Sequence, residues 1–141
     1  SNALHLPWHS FPLLDDNDHF TKRGQHTFHK ALVAVVGTRH PRILVLADST
    51  IGYYPDAPEQ LRRQFALQGV DATVDAICGS GFAARAIEGY HFRARWRSAV
   101  RNSRHTVASP QYDAVLVIGG WNDVHHAHML AAARGFARDV C

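Results

Sequence analysis

The sequence predicts an α/β fold on a short parallel sheet. Apolar runs at 43–47 (ILVLA) and 114–118 (AVLVI) are too short for core helices and are bounded by turn residues. The segments between and after them have helical spacing, and such strand–helix alternation is the mark of a parallel sheet. The strand ends also share a chemistry. Asp48-Ser49, Gly79-Ser80-Gly81 and Gly120-Trp121-Asn122-Asp123 are polar or glycine-rich, and parallel sheets bind ligands outside the carboxyl ends of their strands.

With 141 residues, 46% hydrophobic and 19% charged, the chain suits one compact domain and is too short for two. Ser1-Asn2-Ala3 reads as a scar of tag removal and is set aside, leaving 4–141 as a single domain. Residues 4–18 are loop-like, with Pro7, Pro12 and the acidic cluster Asp15, Asp16 and Asp18. A helix is expected over 21–36, with Phe28, Leu32 and Val35 or Val36 on one face, stopped by Gly37 ahead of Pro41.

Strand 43–47 reads as buried. Next come a helix over 59–68, ended by Gly69, and a less apolar strand at 71–77, expected nearer an edge. Residues 79–81 form a turn. Residues 83–104 read as mostly helical with a break near Gly89, and Ser109-Pro110 closes that region. Strand 114–118 is the clearest buried run, and 126–140 is an Ala-rich helix. No apolar run approaches the ~20 residues of a membrane span, and no signal peptide is recognisable, so the location is open between the cytoplasm and export with a removed leader.

The cysteines, Cys78 and Cys141, make no disulfide framework, and Cys78 is expected as a small buried thiol. A net charge of +3 bears on solubility and does not by itself imply nucleic acid.

Ser49 follows a buried strand and precedes a turn into a helix. A hydroxyl there can meet backbone N–H groups that also point at a reacting oxygen, although a simple helix cap is the plainer role. Serine needs a base before it can attack. The elbow Gly-x-Ser-x-Gly is absent, because position 47 is Ala and position 51 is Ile. Gly81 and Asn122 strengthen the catalytic reading, since a glycine N–H and an asparagine amide can both stabilise an oxyanion.

LVLADS, CGSGF and VIGGWND together resemble the first three blocks of the SGNH (GDSL-like) hydrolase superfamily, with Ala47 where the family has glycine. The resemblance implies a flavodoxin-like three-layer sandwich and a serine esterase or lipase-like activity. Carboxylic esters would be cleaved through an acyl-enzyme on Ser49, with Ser49, Gly81 and Asn122 forming the oxyanion hole. Acyl transfer from the same site, or an inactive or partner-dependent module, are the alternatives.

The family's last block, Asp-x-x-His, normally follows the third block at a distance. Here Asp16-Asn17-Asp18-His19, with Gly24 and an apolar helix behind it, resembles that block in full. It makes His19 the expected base and Asp16 its orienting acid, in an order like that of a circular permutation. Residues 4–37 would then carry the last block and its helix, and 42–141 the nucleophile and oxyanion blocks. Alternatively, 4–37 is the tail of a preceding domain. Asp123-Val124-His125-His126 fits the bare spacing but overlaps the third block and lacks the glycine. A full family member has about two more strands and a helix. The fold is therefore expected to be reduced, completed by a second copy, or part of a longer chain.

No cofactor is expected, and the substrate would be a small ester or acylated molecule. Tyr53, Tyr54 and Trp121 follow the blocks and are candidates for lining its pocket. Among the 11 histidines, His125, His126 and His128 cluster, as do His26 and His29. No recognised zinc spacing accompanies them, so no metal is expected. Arg93, Arg97, Arg101 and Arg104 read as a solvated face opposite a core stripe of Phe92, Trp96 and Ala99 or Val100. The rival reading of that face is an anion-attracting surface. Nucleic acid is not expected, since no groove-reading motif supports it.

Overall fold

The computed structural model describes residues 40–86, 89–104 and 112–140, together with Lys30, Ala34 and Gly37. Three parallel strands, β1 (Arg42–Ala47), β2 (Asp71–Ala76) and β3 (Ala114–Ile118), form one sheet in the order β2-β1-β3. This is the strand order with which a flavodoxin-like sheet begins. Val45 faces Val74 on one side and Leu116 on the other, so β1 is central. Residues Ile43 to Ala47 are all fully buried. That is why their run reads as continuously apolar rather than alternating.

Alternate residues of β1 serve two cores. Ile43 and Val45 pack with Leu61 and Phe65 of helix α2 (Ala57–Leu67), and Ile51 of the one-turn helix α1 (Ser49–Gly52) lies against the same cluster. Leu44 and Leu46 pack with Phe92 of α3 (Phe92–Arg104) and Phe136 of α4 (Met129–Val140). The result is three layers with the sheet in the middle, an α/β fold as the sequence predicts. The stripe of Phe92, Trp96 and Ala99 faces the second core. Lys30 and Ala34 are helical, within the span where the first helix is expected.

Several expectations are corrected. The helix expected across 83–104 exists only from Phe92, because the amides of Phe82, Ala83 and Ala84 bond to a side chain instead of to a helical turn. The helix expected at 59–68 begins earlier, at Ala57, with proline in its first turn, where a missing N–H costs nothing. The last helix starts at Met129, since 121–128 form a 3₁₀ turn (Trp121–Asp123) and further turns. Strand β3 is half-buried, so β1 and not β3 is the buried strand. Cys78 is exposed, for it lies in the turn beyond β2 and not in the strand.

The arginine face of α3 is only partly solvated. Arg93 grips Asp139 of α4 through Nε at 2.5 Å and Nη2 at 2.8 Å, and Arg97 adds a bond of 2.8 Å. The Arg93 bond, with Arg97 beside it, lowers the Asp139 carboxyl from 3.8 to about 2. No helix among the described residues is long and apolar enough to cross a membrane.

Two measurements test this packing. Phe92 is fully buried and meets Phe82 edge-to-face at 5.2 Å. Phe92→Ala should therefore cost about 3–5 kcal/mol in denaturant unfolding. Asp139 binds fewer protons folded than unfolded, so its contribution is complete above pH 3.8 and is lost as pH falls towards about 2. The Tm difference between wild type and Asp139→Asn should narrow across that window, and a constant difference would refute the clamp.

Candidate active site

In a sheet of order β2-β1-β3 the chain reverses direction of growth between β1 and β3, and a switch point of this kind is where parallel sheets bind ligands. Asp48 and Ser49 leave β1 at that point. Asp48 is fully buried, and its Oδ1 accepts from the Thr50 N–H at 2.9 Å and the Thr50 hydroxyl at 2.7 Å. Asp48 is thus the cap of α1. Ser49 is the first helical residue, partly exposed, and its hydroxyl is not the capping group. The plainer role suggested by the sequence falls to its neighbour.

The loop after β3 reaches back to the loop after β2. Asn122 donates through Nδ2 to the Ser80 carbonyl at 2.9 Å and lies 3.5 Å from Asp48 Oδ2. Asp123 is buried, and its two oxygens accept from the Phe82, Ala83 and Ala84 amides, each at 2.8 Å. Such close approach demands glycine twice. A Cβ at Gly81 would lie 2.4 Å from Asp123 Oδ2, and one at Gly119 would lie 2.6 Å from Asp48 Oδ2. The three loops carrying Ser49, Gly81 and Asn122 therefore converge.

The Gly81 N–H is engaged, donating to the Ala84 carbonyl at 3.0 Å. An oxyanion would have to draw it from that bond. Tyr53, Tyr54 and Trp121 are 71%, 67% and 82% exposed. These aromatics are open to solvent beside the loops, and the two tyrosines meet edge-to-face at 5.1 Å.

Asp16 and His19, with Asp15 and Asp18, lie outside the described residues. The competing pair is not assembled among the described residues: the Asp123 carboxylate is buried against three amides while His126 is exposed. His125 and His128 are exposed as well, and among the described residues no group of three or more His, Cys, Asp or Glu side chains could hold a metal.

Sequence reasoning missed Arg95. Its side chain is 3% exposed and lies under the ends of β1 and β2, where it pairs with Asp75. The signal was available: Arg95 stands three residues after Phe92, on the stripe that the apolar spacing assigns to the core.

Replacing Asp123 with alanine would strand three donors in a loop with little access to water. Asp123→Ala should cost at least about 2 kcal/mol. Gly81→Ala should be destabilising too, because the carboxylate it displaces is pinned. Thermal unfolding of both variants measures this, and wild-type stability in either would refute the described loop geometry.

A comparison with family models, curated proteins and solved structures returns no match to this chain.

Proposed function

We propose that this chain is a serine ester hydrolase of the SGNH (GDSL-like) kind, with Ser49 as nucleophile. The observation that carries the reading is the convergence of Ser49, Gly81 and Asn122 at the carboxyl edge of the sheet. Asn122 and Asp123 tie the β3 loop to the β2 loop, and Asn122 also approaches the buried cap of the Ser49 helix. Donors fixed in advance around a reacting oxygen are what acyl-transfer chemistry needs.

In this reading His19 takes the Ser49 proton while Oγ bonds to the acyl carbon, and Asp16 orients the imidazole. The carbonyl oxygen becomes an oxyanion beside the Ser49 N–H, the Gly81 N–H and the Asn122 amide. Collapse breaks the ester C–O bond, and the leaving alcohol takes its proton from His19. Water then attacks the acyl-enzyme and releases the acid. An alcohol in place of water would give acyl transfer from the same site.

One observation favours a second reading. The Gly81 N–H already serves the Ala84 carbonyl, which suits an inactive or partner-dependent module.

Intact-mass labelling with a fluorophosphonate separates the readings. The wild-type chain should gain one adduct, lost in Ser49→Ala and strongly slowed in His19→Ala, and retained in His126→Ala. Labelling retained in His19→Ala but lost in His126→Ala would reverse the choice of base. A folded wild-type chain that takes no label would sink the hydrolase reading in favour of the module.

A further inference from the structure

We propose that Arg95 is a positioning residue, holding the strand end that delivers Ser49 in register with the loop that delivers Gly81. This rests on the hydrolase reading above. One guanidinium reaches both pieces. Nη1 donates to the Ala47 carbonyl at 3.0 Å, two residues before Ser49, and to Ser80 Oγ at 2.8 Å, one residue before Gly81. Nε donates to Asp75 Oδ2 at 2.9 Å, and Nη2 bonds to the Asp75 carbonyl. Ser80 Oγ in turn donates to the Ile77 carbonyl at 2.7 Å, and the Ile77 N–H returns to the Ala47 carbonyl at 3.0 Å. The last carbonyl of β1, the end of β2 and the start of the β2 loop thus share one planar fork.

A buried cation is a poor way to fill space. Alone it pays heavily for lost hydration, and an apolar side chain of similar size would pack without that penalty. Arg95 does lie over the Phe92 ring, 5.7 Å from its centroid, but the apolar core face of α3 is already supplied by Phe92 and Trp96. What an aliphatic residue cannot supply is several donors in fixed directions, aimed at two backbone segments at once. Lysine cannot either, because its ammonium is a point charge on a flexible stem. The positions it ties lie two residues before Ser49 and one before Gly81. Errors of about 1 Å in reacting groups can slow chemistry by roughly 100-fold.

The test measures fluorophosphonate labelling per folded molecule in wild type, Arg95→Lys and Ser80→Ala, across pH, beside Tm and amide hydrogen exchange. Ser80→Ala removes a single acceptor of the fork, and it carries the test if Arg95→Lys fails to fold. Labelling should slow about ten-fold or more in either folded variant, with the pH midpoint unchanged, since the base is untouched. Exchange should quicken at 78–84 while residues 57–67 keep their protection. A lowered Tm with wild-type labelling per folded molecule and wild-type exchange at 78–84 would reduce Arg95 to a packing role and overturn the proposal. A wild-type chain that takes no label refutes the hydrolase reading itself, and the proposal falls with it.

Discussion

Residues 82–86 have no regular secondary structure, yet Ala84 and Ala86 are buried. Their neighbourhood therefore holds main-chain donors that neither a helix nor a strand satisfies, and water has little access to them. The Asp123 carboxylate resolves this by accepting from three successive amides. Much of the carboxyl edge follows from that one arrangement. Position 81 must be glycine because the carboxylate occupies the space of a Cβ. Helix α3 must wait until Phe92, whose N–H goes to the Gly81 carbonyl. The β3 loop must turn sharply after Gly120 to bring Asp123 under the β2 loop, and that turn also sets Asn122 against Ser80.

Among the described residues three buried charged side chains then stand near the strand ends, and each has its own partners. Asp48 is answered by Thr50, with Asn122 nearby. Asp123 is answered by amides. Arg95 is answered by Asp75, Ser80 and two carbonyls. No one of these groups can move without leaving a buried charge or a backbone donor exposed to an apolar surrounding, which is expensive. The strand-end loops are therefore stiff for loops. Rigidity of this kind is what makes a set of donors useful at a reacting oxygen, since no reorganisation is needed during the step.

The strands were legible because burial on both faces leaves an unbroken apolar run, as in Ile43 to Ala47. The edge character of β2 was legible from Asp71, Thr73 and Asp75 for the converse reason. That Ser49, Gly81 and Asn122 share one edge of the sheet was legible from topology, because parallel strands all end on one side. What sequence could not weigh was competition for amides. Residues 83–86 read as helical, but a carboxylate about 40 positions away in the chain takes the Ala83 and Ala84 N–H groups. Arg95 was hidden by its neighbours. Arg93 and Arg97 belong to a polar face, and an arginine between them looks the same until its spacing from Phe92 is counted.

The two candidate side-of-loop donors are not equivalent. Gly81 donates to Ala84 at 3.0 Å and has no second hydrogen to offer. Asn122 has two hydrogens on Nδ2: one contact is to Ser80 at 2.9 Å, and the other, to Asp48, is long at 3.5 Å. A hydrogen bond near that length contributes little. An oxyanion forming beside Ser49 would therefore draw first on Asn122, whose weaker contact can be exchanged without disturbing a loop. Recruiting Gly81 would require its N–H to leave the Ala84 carbonyl while Asp123 holds the three amides that follow. Donors that must first be freed lose much of their advantage over water. In a hydrolase built this way the Asn122 amide and the Ser49 N–H carry the larger share of the oxyanion, and Gly81 contributes by letting the carboxylate beneath it come close.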